Sequence, residues 1–213
     1  MPSFEHLIPF FIATAIFAFV PGPAILYTAA QTLARGKRAG FMAALGIHFG
    51  CYVHVIAAAL GLSAIFIHVP AAYMVVKIVG AVYLVWLGIS LIRQKVASEM
   101  PVGAGASGAP KTARRAFIES MWVEILNPKV AIFFIAFLPQ FVDAAAGLPV
   151  WAQFLVLGAF VNISFSTADV VVIMAADKVA RKMKSSGAGP KIVQALSGVT
   201  LIGLGARLAL SDK

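Results

Sequence analysis

The chain has 213 residues, 61% of them hydrophobic and only 12% charged, with a mean hydropathy of +0.94. A soluble domain carries roughly 25% charged residues, so these totals exclude one and imply an all-α integral membrane protein. The single cysteine, Cys51, excludes an intrachain disulfide, and the net charge of +9 would suit nucleic acid unless the basic residues are placed for another purpose.

A membrane span needs about 20 apolar residues. Six stretches qualify, at residues 7–33, 39–67, 72–92, 117–142, 150–176 and 192–210. The first residues, MPSFEHL, contain Glu5 and no Lys or Arg, and no small-residue cleavage site follows. The first stretch is therefore expected to be a retained span rather than a signal peptide. Several stretches exceed the bilayer thickness, so tilt or breaks must absorb the excess.

The connections alternate in charge. Arg35, Lys37 and Arg38 fill the first. Arg93, Lys95, Lys111, Arg114 and Arg115 fill the third, and Lys178, Arg181, Lys182, Lys184 and Lys191 the fifth, together 13 of the 17 basic residues. The second and fourth carry none. This pattern predicts cytoplasmic odd-numbered connections and both termini periplasmic or extracellular. The positive charge is thus a topology signal and not a nucleic-acid footprint.

The third connection contains a Gly-, Ala-, Ser- and Pro-rich stretch at 100–110, the composition of a flexible linker. It divides a single transmembrane transporter domain, 1–213, into repeat one (5–93), a cytoplasmic linker (94–114) and repeat two (115–210). Three spans per half place the halves in opposite orientations, the inverted-repeat plan of many secondary transporters. The first span of each half carries a mid-depth break and a second proline, Pro9 or Pro139. The third span of each half is punctuated by glycine: Gly80 and Gly88, then Gly198, Gly203 and Gly205.

The breaks are Pro21-Gly22-Pro23 and Asn127-Pro128-Lys129. Proline lacks an N–H and clashes with the preceding turn. Gly22 can adopt backbone conformations closed to other residues, and Pro23 suits the first position of a new helix. Asn127 is a good N-cap and Pro128 a good first helical residue. Each break therefore reads as a half-helix starting in mid-membrane, where unpaired N–H groups and the positive end of the dipole favour an anion. With Lys129 beside them, the two starts are expected to face each other and bind a carboxylate. Lys129 has an alternative role, balancing a buried acid.

Two acids lie within spans, Glu124 and Asp169. Either could carry a transported proton or bind an ammonium group, and the alternative is a structural ion pair, for example with Lys129, or a side chain that snorkels to the cytoplasmic interface. Asn162, Ser166 and Asp169 share a helix face. His48, Cys51 and His54, spaced by three, are too few for a metal centre without further ligands. His54 continues the Gly46/Gly50 stripe, which lets another helix approach closely. Gly198 and Gly205 share a face of the sixth span, for packing within the monomer or in a homo-oligomer. No cofactor is called for.

The segments PGPAILYTAAQTLARGKRAGFMAALGIHFGCYVH, KIVGAVYLVWLGISLIR, NPKVAIFFIAFLPQFV and SGVTLIGLGARLAL together resemble the LysE/RhtB family of amino-acid exporters, the threonine-, homoserine- and leucine-type efflux proteins. The resemblance runs through essentially the whole chain, and NPK with FF and LPQFV is its most specific part. It implies six spans, a bacterial inner membrane and efflux of amino acids or close derivatives driven by the proton-motive force. By position it points to Pro21, Gly22, Pro23, His54, Lys77, Asn127, Pro128, Lys129 and Asp169. Small residues often precede NPK in the family, so Glu124 is a departure.

A secondary transporter is the reading these observations favour. Substrate contacts would come from Pro21, Gly22, Pro23, His54, Asn127, Pro128, Lys129 and Asn162, and proton coupling from Asp169 and Glu124. The partners are then a small amino-acid substrate, protons and the lipid bilayer. The competing readings are a passive channel, a structural membrane subunit, and a membrane-embedded metal enzyme built on His48, Cys51 and His54.

Overall fold

The computed structural model describes residues 4–68 and 113–184 together with isolated positions between 74 and 93 and between 199 and 210. Apart from those positions the third and sixth spans lie outside the described residues, as do the linker stretch 100–110, Lys77, Gly198 and Gly205. Among the described residues all regular structure is helical.

Helix α1 (Phe4–Ala18) is followed after a short break by α2 (Pro23–Arg35), and the two are bent by 45°. Helix α3 (Lys37–Ala57) continues through one π turn (Ala58–Leu62) into α4 (Ser63–His68). The second bent pair is α5 (Ala113–Ile125) and α6 (Pro128–Phe137), the latter extended by a 3-10 turn (Leu138–Phe141), with a bend of 46°. Helix α7 (Val150–Lys184) is unbroken. Residues 37–65 and 150–176 are each long and apolar enough to cross a membrane, and each bent pair passes the same test as one broken span.

Local chemistry explains the joints. Gly36, between α2 and α3, has φ 83°, a region that favours glycine, and its N–H closes α2 on the Thr32 carbonyl at 2.8 Å. In the π turn the Ser63 hydroxyl donates back to the Ala59 carbonyl, taking up backbone capacity that the widened turn leaves over. Pro139 opens the tight turn that ends the second pair.

Two kinds of packing hold these helices. Phe10, Phe17, Phe133, Phe137 and Phe141 form a buried aromatic column between α1 and α6, with Phe17 and Phe133 stacked at 4.0 Å and Phe133 and Phe137 at 4.4 Å. Between α3 and α5 the contact is backbone to backbone. A Cβ at Gly50 would stand 2.6 Å from the Met121 carbonyl oxygen, and Gly46 lies against Phe117 and Ser120. The small-residue stripe on α3 is thus the seat of α5. Leu45, Phe49 and Val53 on α3, and Phe160, Ile163 and Met174 on α7, are exposed on the outside, as lipid-facing side chains should be.

Candidate functional site

A proline removes the hydrogen bond that its missing N–H would make to the carbonyl four residues earlier. Pro21 thereby frees the carbonyl of Phe17, and Pro128 that of Glu124. Each freed carbonyl is first drawn into a tighter turn, by Val20 N–H at 3.1 Å in one case and Asn127 N–H at 3.0 Å in the other. Each then accepts from a side chain on a different helix. Lys129 Nζ donates to Phe17 O at 3.4 Å and to Val20 O at 2.5 Å. His54 Nε2 lies 2.9 Å from Glu124 O, and because a carbonyl only accepts, Nε2 carries the proton.

The Lys129 ammonium also sits 4.4 Å from the centre of the Phe17 ring, a cation–π contact. Its stem crosses Gly22, where a Cβ would stand 2.7 Å from Cδ. This corrects the expected role of Gly22. Its φ of −147° and ψ of 176° are extended backbone that any residue adopts. Glycine is needed for the passage of Lys129 and not for an unusual turn.

Both half-helix starts have the expected form, with Gly22 and Asn127 as N-caps and Pro23 and Pro128 as first helical residues. They differ in how they are capped. Asn127 Oδ1 accepts from Lys129 N–H at 3.1 Å while its Nδ2 donates to Glu124 Oε2 at 3.0 Å, so one buried amide caps α6 and ties down the acid. Gly22 supplies no side-chain cap, which leaves the first N–H groups of α2, those of Ala24 and Ile25, without an acceptor inside the helix.

These groups line one cavity. Its walls include Phe17, Gly22, Ala24, Ile25, Glu124, Asn127, Lys129, Phe165 and Asp169. It takes in about 330 Å³ with its open side included, but the part that admits a water-sized sphere holds about one molecule. Lys129 directs its hydrogen bonds to the Phe17 carbonyl of α1 and the Val20 carbonyl of the break, and makes no ion pair with Glu124 or Asp169, although both acids act on it electrostatically. Asp169 is buried beside the buried Thr28, whose hydroxyl lies close enough to act on the carboxyl, although neither that hydroxyl nor Asp169 Oδ1 has a partner in full hydrogen-bond geometry.

The structure therefore brings together Gly22, Asn127, Lys129, Glu124 and Asp169. It does not bring the others to the cavity wall. Pro21, Pro23 and Pro128 are exposed, do not line the cavity and act by shaping the breaks. His54 reaches the cavity's acid only through its backbone carbonyl. Asn162 donates to His48 O at 3.1 Å, and Ser166, which bonds His48 Nδ1 at 2.6 Å, joins it in a polar lock between α3 and α7. Among the described residues no cluster of three His, Cys, Asp or Glu could hold a metal ion. Sequence reasoning missed Phe17, Val20 and Thr28. For Phe17 a signal existed, since it stands four residues before Pro21.

The sequence profile of the LysE type translocators matches residues 15–212. The chain is 28% identical to a leucine efflux protein of Klebsiella pneumoniae, over 96% of this chain and 94% of that one. It is 27% identical to a homoserine/homoserine lactone efflux protein of Salmonella typhimurium, over 92% and 90% of the two chains. It is also 27% identical to an uncharacterized membrane protein of Vibrio cholerae, over 94% of each. No solved structure matches. With a family match that spans nearly its full length, the chain belongs to the LysE type translocator family.

Proposed function

We propose that the protein is a secondary transporter that exports an amino acid or a close derivative from the cytoplasm, across a bacterial inner membrane, using the proton-motive force. The observation that carries this reading is the cavity at the two breaks. Uncapped α2 N–H groups, a lysine and two buried acids meet there, in a chain whose relatives are efflux proteins. The substrate carboxylate fits the α2 start, aided by Lys129. Its amino group fits the acceptors around the cavity, which are backbone carbonyls and Asp169, with Asn162 farther off.

Asp169 is the favoured proton carrier and Glu124 the second, because both carboxyls are buried and Glu124 Oε2 is tied to the Asn127 amide while Asp169 Oδ1 has no such bond. The near-equal bends of 45° and 46° support two inverted repeats, 5–93 and 115–210, that rock against each other within one domain. The basic connections support cytoplasmic odd-numbered loops and external termini. The present cavity admits about one water, so substrate entry requires the breaks to part.

An export screen tests this. Cells expressing the protein are loaded with dipeptides and extracellular amino acids are measured against a Lys129→Ala control. One or a few amino acids should accumulate outside only with the intact protein, and identical profiles would count against the reading. In vesicles, Asp169→Asn should abolish proton-dependent export, and full retention would remove Asp169 from the coupling step.

A further inference from the structure

We propose that the carbonyls of Phe17 and Val20, with the Phe17 ring, form a primary-ammonium subsite that Lys129 itself occupies in this conformation. Two converging backbone acceptors and an aromatic face are the chemistry that recognises R–NH3+. The site is seen holding such a group: Lys129 Nζ has oxygens at 2.5 and 3.4 Å and the ring centroid at 4.4 Å. The negative end of the α1 dipole adds to the attraction. Pro21 keeps the Phe17 acceptor permanently free of its helical partner.

Lys129 is therefore a tethered stand-in for ligand. An ammonium arriving from outside the chain must displace it. The released lysine remains in the cavity that Glu124 and Asp169 line, next to the uncapped start of α2. The lysine would then meet the ligand's carboxylate while its former acceptors hold the ligand's ammonium. This deepens the export reading, and it rests on that reading for the identity of the ligand as an amino acid, though not for the ammonium subsite itself.

The test uses purified full-length protein and ethylammonium, a probe with an ammonium and no carboxylate. Intact protein should bind it poorly, because the tethered lysine competes at an effective concentration of about millimolar. Lys129→Met should bind it at least about tenfold more tightly. A folded Lys129→Met protein with no gain would overturn the proposal. Should that variant not fold, the second arm decides. The exported amino acid is compared with its 2-hydroxy analogue, in which a neutral hydroxyl replaces the ammonium, in intact protein and in Phe17→Leu. The preference for the amino acid should narrow by about three- to tenfold in Phe17→Leu, and an unchanged ratio would overturn the subsite. The two readings fail separately. Ethylammonium binding needs no amino-acid export, and export without an ethylammonium gain removes the subsite alone.

Discussion

At the first break the carbonyl freed by proline is reached by a lysine 112 residues away in sequence. At the second, the equivalent carbonyl is reached by a histidine 70 residues away. The backbone problem is the same in both, down to the tightened turn that precedes each proline. The new helices then diverge. The start of α6 is closed by its own Asn127, which also fixes Glu124. The start of α2 has no side-chain cap and opens on the cavity. The second break is thus closed by its own side chains and sends Lys129 across, and the first receives that lysine at its carbonyl end while its N–H end carries no side-chain cap.

Removing the link between the breaks should have the largest effect. Lys129→Ala leaves the Val20 carbonyl without its donor and the Phe17 carbonyl with only its turn bond from Val20 N–H, in a water-poor setting, and should lower stability by about 2–3 kcal/mol, read as thermal unfolding in detergent. An equal loss from His54→Ala would erase the asymmetry. Gly22→Ala should follow, at about 1–2 kcal/mol, because its Cβ would push aside a flexible lysine stem whose Nζ is held by the Val20 carbonyl. The cost should fall by about 1 kcal/mol or more when Lys129 is already Ala, and an additive double mutant would show that Gly22 serves the turn after all.

Asn127→Ala should cost about 1–2 kcal/mol, from one cap and one buried hydrogen bond. Because that amide holds Glu124, the variant should also alter the pH profile of export, whereas a purely local cap would change stability only. The smallest effect belongs to His54→Ala, about 1 kcal/mol. His54 donates a single bond to a carbonyl that Asn127 N–H already satisfies in part, and His54→Gln should recover some of it.

Much of this arrangement is readable in the chain because it depends on neighbours in sequence. Proline, asparagine and glycine act within one turn, so the two breaks, their N-caps and their first helical residues follow from PGP and NPK alone. Small residues at Gly46 and Gly50 mark a close helix contact before its partner is known. The role of Gly22 was misassigned for the same reason. A glycine between prolines suggests backbone freedom, and nothing local reveals a lysine stem passing over it.

The sequence by itself determined where the helices break, which stretches are apolar enough to span a membrane, and which ionisable residues lie within them. Only the tertiary structure decided where those side chains go. Lys129 is long and flexible, and from sequence it could equally have paired with Glu124, with Asp169 or with substrate. Packing of α1 against α6 brings the Phe17 and Val20 carbonyls within its reach, and the ammonium goes there because the break leaves acceptor capacity at both, most closely at Val20. His54 and Asn162 were likewise drawn to backbone carbonyls of neighbouring helices, away from the cavity wall. In a membrane interior an unfilled carbonyl is costly enough to decide the direction of a polar side chain, and which carbonyl lies nearest is settled by how the helices pack.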